Sequence, residues 1–171
     1  EINQPSEISV TESIINVSCY GLSDGSVSLS ISGGTPNYTE DWGNINPLSL
    51  SAGNYTYNIT DSNGCTINNS ISISEPNEII TSLNITNLSS CIVYNGSIDL
   101  SISGGTTPYT YLWNNNETTQ DIFNLSAGNY YVTIIDSNGC IAYDTANVEQ
   151  PSNNLSLNIT TSYYNGSEIS C

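Results

Sequence analysis

Apolar side chains in this 171-residue chain fall at every second place in short runs, with serine, threonine or asparagine between them. In GSVSLSIS, Val27, Leu29 and Ile31 share one parity and the serines the other. In LSAGNYTYNIT, Tyr55, Tyr57 and Ile59 do the same. Beyond DSNG (Asp61 to Gly64), Ile67, Ile71 and Ile73 resume the alternation. Strand side chains point to two faces in turn, so period two marks half-buried strands, and Asn-Gly between two such runs favours a tight hairpin turn. QPSEISVTESIINVSC (Gln4 to Cys19) reads as a first strand or a strand pair. No segment sustains the 3.6-residue period of an amphipathic helix, so the expectation is all-β.

The pattern is written twice. SISGGTPNYTEDW (Ser30 to Trp42) returns as SISGGTTPYTYLW (Ser101 to Trp113), each with a Gly-Gly corner after a strand and then Pro, Tyr and Trp. GSIDLSIS (Gly96 to Ser103), LSAGNY (Leu125 to Tyr130) and DSNGC (Asp136 to Cys140) recur in the same order. Pro5 and Pro76 lie 71 residues apart and Pro76 and Pro151 lie 75 apart, the excess falling in the loop-like NNNETTQ (Asn114 to Gln120). That period exceeds those of solenoids, so each copy is expected to be a whole small domain. The boundaries expected are 1–76 and 77–151, with 152–171 opening a truncated third copy. EISC (Glu168 to Cys171) then aligns with NVSC (Asn16 to Cys19), whereas matching YNGS at Tyr164 to Tyr94 would leave Cys171 without a counterpart. About seven short strands per copy suit an Ig-like β-sandwich.

The order Cys, Asp-Gly-Ser, Ser-Gly-Gly-Thr, Pro-Tyr-Thr, Trp, Leu-Ser-Ala-Gly-Asn-Tyr, Asp-Ser-Asn-Gly-Cys, Glu/Gln-Pro resembles the SprB repeat. The copies depart from one another at Asp24 against Asn95 and at Asn37 against Pro108. The resemblance implies the stalk of a very long surface adhesin of gliding Bacteroidota, secreted by the type IX system. It implies no active site.

Composition narrows the chemistry. The chain has no Lys, Arg, His or Met and 16 acidic residues, a formal charge of −16. A surface without cations cannot neutralise phosphates, so nucleic acid is excluded as a partner. Side-chain ion pairs are equally impossible, which leaves burial, backbone ladders and disulfides to stabilise the fold. No apolar run is long enough for a membrane helix. The missing initiator Met and signal peptide suggest an excerpt from a longer mature protein.

Five cysteines suggest an oxidising compartment and an extracellular, cell-surface location. Cys19 and Cys65 bracket the same strands of copy one that Cys91 and Cys140 bracket in copy two, so one disulfide per repeat is expected, Cys19–Cys65 and Cys91–Cys140, with free thiols as the alternative. Cys171 would find its partner outside this chain. Two cysteines per copy without His leave no metal set in view.

DSNG begins like a calcium loop, but its Gly comes too early and no Glu stands twelfth, so a hairpin turn is expected there. A junction calcium on Glu75 and Glu78 is a separate possibility, though Glu149, Gln150 and Asn153 would not repeat it. Otherwise no cofactor is expected. Glu40 and Asp41 form the best carboxylate pair, yet neighbours on a strand face opposite ways and Tyr111 and Leu112 replace them in copy two, so no enzyme is expected. Trp42 and Trp113, with Tyr109 and Tyr111, suit a core, while Tyr20 and Tyr94 near turns could face a sugar. Thirteen Asn-x-Ser/Thr sequons are mostly what chance supplies in so Asn-, Ser- and Thr-rich a chain. DTA (Asp144 to Ala146) makes Thr145 a possible O-glycosylation site.

The function expected is therefore mechanical and adhesive. The modules hold a binding region away from the cell or form the filament itself, with neighbouring repeats as partners and external surfaces or polysaccharide as possible contacts. The alternative is a glycan-binding β-sandwich.

Overall fold

The computed structural model describes residues 5–152, together with a short antiparallel pair, β12 (Tyr163–Tyr164) and β13 (Ser167–Glu168). The expected third copy, apart from that pair, and Cys171 lie outside the described residues.

In the first unit β1 (Ser9–Ile15) pairs with β2 (Ser26–Ser32). Opposite them β3 (Thr39–Asp41), β4 (Gly53–Thr60) and β5 (Thr66–Ile73) form a sheet in that order. The second unit has β6 (Ile80–Thr86), β7 (Gly96–Ser103) and β9 (Ile122–Leu125) in one sheet. Its other sheet orders β8 (Thr110–Trp113), β10 (Gly128–Ile135) and β11 (Ile141–Val148) with β10 central. All these pairings are antiparallel.

Strand order identifies the architecture. The second unit carries first-second-fourth on one sheet and third-fifth-sixth on the other, which is the Ig order A-B-E and C-F-G without strand D. In the first unit E shrinks to one bridge, Gly25 to Leu50. The units therefore hold five and six strands instead of about seven. The segments where D would run are turns around Gly43, Pro47 and Asn114 to Asn116, which have no alternating apolar positions to bury.

The alternation read from the sequence becomes the core. Val27, Tyr57, Ile59, Ile71 and Ile73 are buried in the first unit, and Ile98, Leu100, Val132, Ile134 and Val148 in the second. Each such side chain contributes roughly 1.5–3 kcal/mol by leaving water. Trp42 and Trp113 lie in these cores, Trp42 against Tyr57 at 4.6 Å between ring centroids. Trp113 satisfies its indole N–H on Thr119 O at 3.0 Å. Tyr55 and Tyr130 donate their hydroxyls back to Ser51 O (2.9 Å) and Ser126 O (3.0 Å), the tyrosine corner of Ig sandwiches.

The Gly-Gly corners explain why that dipeptide is written twice. Gly33 and Gly104 have φ of 72° and 76°, and a Cβ on either would stand 1.9 or 1.8 Å from the carbonyl oxygen of Glu7 or Glu78. Gly34 N and Gly105 N donate to Ser6 O (2.7 Å) and Asn77 O (2.8 Å). Each corner thus clamps the chain entering its own unit. Gly104→Ala meets both a left-handed φ and a backbone overlap, and is expected to cost at least about 2 kcal/mol. Gly139→Ala, with φ 85° and nothing within 4 Å, should cost only about 1 kcal/mol. Urea unfolding of the two variants checks the ranking, and equal costs would contradict it.

Candidate functional site

In each unit the loop after the first strand lies at the end where the last strand leaves. Val17 N donates to Ser74 O (3.0 Å), Ser74 N to Asn16 Oδ1 (2.9 Å) and Gly21 N to the Glu75 carboxylate (2.7 Å). The DSNG turn lies at the opposite end, beside the Gly-Gly corner. Asp61 Oδ2 accepts Thr35 N (2.9 Å), and Oδ1 accepts Asn63 N (2.9 Å) and Cys65 N (2.8 Å). Asp136 repeats the set with Thr106 (2.8 Å), Asn138 (2.9 Å) and Cys140 (2.9 Å). Both aspartates are buried. The N–H groups of Thr35 and Cys65 hold the Asp61 carboxyl below its usual pKa range. At Asp136 burial pushes the pKa up, but the N–H groups of Cys140, Thr106, Asn138 and Gly139 outweigh it and the net direction is down. DSNG is thus a turn whose carboxylate already accepts three backbone donors.

This arrangement corrects the expected cystine pairs. Cys19 and Cys65 stand at opposite ends of one sandwich, separated by the eight residues of β5, on the order of 25 Å of strand. Cystine Cα atoms stay within about 7 Å. Cys19 instead bonds Cys140 of the second unit, with Cα atoms 5.6 Å apart and 121 residues between them in sequence. The bond therefore joins consecutive units, and the pairs Cys19–Cys65 and Cys91–Cys140 do not form. Cys65 is an exposed free thiol. Cys91 sits one place further along its loop than Cys19 does, at the position of Tyr20, with Sγ 3.3 Å from Pro151 O.

The junction around this bond is a built contact. Asn138 Nδ2 donates to Ser18 O across it at 3.2 Å. Tyr20 and Leu22 of the first unit face Glu78, Ile79, Ile141 and Tyr143 of the second across a cleft of ≈ 560 Å³. The loop is stiffened from within, since Asp24 accepts Ser18 Oγ (2.5 Å) and Ser18 N (3.0 Å), which lowers its pKa in that order of effect. The lower end of one unit thus meets the upper end of the next.

The remaining expectations find these places. Among the described residues no three His, Cys, Asp or Glu side chains converge as a metal site, and the Glu75 carboxylate is occupied by Gly21 N–H. Glu78 lines the junction cleft. Glu40 and Asp41 are exposed on β3, Glu40 lying 3.4 Å from the Trp42 indole nitrogen. Tyr109 and Tyr111 pack partly buried against the core. Tyr94 and Thr145 are exposed, Thr145 on β11 opposite Tyr131. No helix among the described residues is long and apolar enough to cross a membrane. Sequence reasoning missed the outer face of the second unit's β8-β10-β11 sheet. Leu112, Tyr131, Ile135, Ile141 and Tyr143 stand exposed there, whereas the first unit has Asp41, Thr56, Thr60, Thr66 and Asn68 at these places.

Strand order, tyrosine corners and the bond across the junction define a tandem Ig-like β-sandwich repeat protein whose units are covalently clasped. The SprB repeat model matches residues 11–47 and 83–118, once in each unit. The chain belongs to the SprB repeat family, which is associated with cell-surface proteins. Among curated proteins nothing matches. A solved structure of the amphioxus IgVJ-C2 molecule is similar at 16% identity over 85% of this chain and 98% of that one, with a TM-score of 0.34. At that score the Ig-like assignment rests on strand order.

Two outcomes follow from this geometry. A digest with an acidic-residue-specific protease, without reductant, should yield a Cys19–Cys140 cystine and an alkylatable Cys65; a Cys19–Cys65 cystine would contradict the junction. Trypsin has no site here, since the chain has no Lys or Arg. Asp136→Asn should lower the thermal midpoint by several degrees at neutral pH. Because the folded pKa is depressed, the carboxylate's contribution is complete above the unfolded value near 3.8 and is lost as pH falls through the lower folded one. The gap between Asp136→Asn and the parent should therefore close on acidification below about pH 4, and a gap constant to about pH 2 would contradict a stabilising role for the ionised carboxylate in the turn.

Proposed function

We propose that the chain is a tension-bearing, non-enzymatic segment in the extended stalk or filament of a secreted cell-surface adhesin. In this reading residues 1–76 and 77–151 are successive modules and 152–171 open a third. No cofactor is required. Secretion and a part in attachment or gliding are extensions of the family's cell-surface association.

One observation carries the reading: the Cys19–Cys140 bond crosses from one repeat to the next. Tension applied to both ends passes from Cys19 directly to Cys140, so the intervening chain is outside the line of force. A protein serving only as a soluble binding domain gains nothing from that path. The charge of −16 adds mutual repulsion between repeats, but over a Debye length of only about 8 Å at physiological salt. The covalent clasp does not depend on salt.

A second reading, glycan binding, is favoured by the exposed Leu112, Tyr131 and Tyr143 face, because tyrosine offers a flat apolar surface with a polar tip. Small-angle scattering and a glycan array separate the two. A stalk segment should scatter as an elongated particle at both low and physiological salt and show no saturable glycan binding. A near-spherical profile, or saturable binding lost in Tyr143→Ser, would overturn the stalk reading.

A further inference from the structure

The upper end of the first unit carries the same receptor that the second unit uses for Cys19. We propose that this groove takes the Ser-Cys-Tyr loop of another SprB repeat lying ahead of it, and that Cys65 forms a disulfide with that loop's cysteine. The inference rests on the junction geometry and holds whatever the adhesin binds.

The two ends agree bond for bond. Asp61 N donates to Cys65 O and Asp136 N to Cys140 O, both at 3.0 Å, and Gly64 N and Gly139 N close the turns onto Asp61 O and Asp136 O, also at 3.0 Å. The turn glycines have φ of 84° and 85°. Ser62 N and Ser137 N each donate to the corner threonine carbonyl, at 3.3 and 2.9 Å. Asn138 Nδ2 gives one contact to Thr106 Oγ1 (3.2 Å) and one to Ser18 O across the junction. Asn63 Nδ2 makes the Thr35 Oγ1 contact (2.8 Å), so its other hydrogen is placed for an incoming carbonyl.

The surroundings match as well. Beside Cys65 a groove of ≈ 440 Å³ is lined by Glu7, Ile8, Gly34, Asp61 and Ile67. Glu78, Ile79, Gly105, Asp136 and Ala142 stand at the same places in the filled junction. Cys140 is 9% exposed beneath its partner loop, whereas Cys65 is open to solvent. A head-to-tail contact of this kind is not self-complementary, so each added repeat presents a fresh receptor and the array extends without closing.

Bond formation removes two protons and two electrons from the two thiols. A low-molecular-weight disulfide such as oxidised glutathione accepts them. One thiolate attacks it and releases one thiol, then the second cysteine attacks the mixed disulfide and releases the other.

The test extends the whole chain. A copy of residues 5–75 is placed directly before Pro5, so that the new junction reads Glu75-Pro5-Ser6 where the native one reads Glu75-Pro76-Asn77. The copy carries Ile14→Val as a mass tag and Cys65→Ser to remove its own thiol. After refolding with oxidised and reduced glutathione, non-reducing peptide mapping should join the tagged Cys19 peptide to Cys65 and protect Cys65 from alkylation. The untagged Cys19–Cys140 cystine in the same digest reports that the parent junction has folded. An alkylatable Cys65, a tagged Cys19 joined to Cys140, or a Cys65–Cys65 bond between two chains would each overturn the proposal. Such a failure leaves the scattering and glycan results on the unextended chain unaffected, so the stalk reading is judged separately.

Discussion

Everything distinctive about this chain follows from where an Ig-like sandwich places its loops. The loop after the first strand and the turn before the last strand lie at opposite ends of the unit, a full strand length apart. A cysteine in each cannot meet its sequence neighbour and must meet the repeat above or below. Cys19 and Cys140 do so, and what would be an internal staple becomes a link between modules. In the chain-entropy picture, closing 121 residues stabilises the clasped pair by roughly 5 kcal/mol. The mechanical consequence is larger than the thermodynamic one, because the bond decides which part of the chain can be stretched.

The same ends show how a protein without cations builds a rigid joint. Carboxylates here have only N–H and O–H donors to pair with. Asp61 and Asp136 fold each hairpin turn onto the Gly-Gly corner, Asp24 braces the Cys19 loop, and Glu75 ties the departing strand to that loop through Gly21. Hydrogen bonds to ionised acceptors are among the stronger ones, and those of the buried Asp61 and Asp136 are screened by salt far less than the repulsion between units.

Much of this was legible in the residues. The alternating runs became strands, the Trp and Tyr positions of matching parity became core, and DSNG became a turn. The Gly-Gly repetition marked a real steric requirement, since a Cβ at Gly33 or Gly104 meets backbone. The cysteine pairing is not legible in spacing along the chain, because the fold decides which ends meet. Strand reversals through a seven-stranded Ig order put Cys19 and Cys65 at opposite ends of one sandwich, so each must look to a neighbouring unit. The loss of strand D and the shortening of strand E to the Leu50 bridge were invisible because turn-rich segments carry no period to count. The apolar outer face of the second unit was hidden for another reason. Leu112, Tyr131 and Tyr143 alternate with core residues on strands whose two faces are both partly apolar, so the pattern does not say which side is wet.

The central claim is that the chain between Cys19 and Cys140 lies outside the line of force, which runs only through β1 of the first unit and β11 of the second, and single-molecule stretching from the two chain ends measures that directly. Under oxidising conditions the 121-residue separation between Cys19 and Cys140 should contribute no extension. Adding reductant should then release roughly 400 Å of contour, at about 3.5 Å per residue. Release of the chain between Cys19 and Cys140 without reductant would contradict the account.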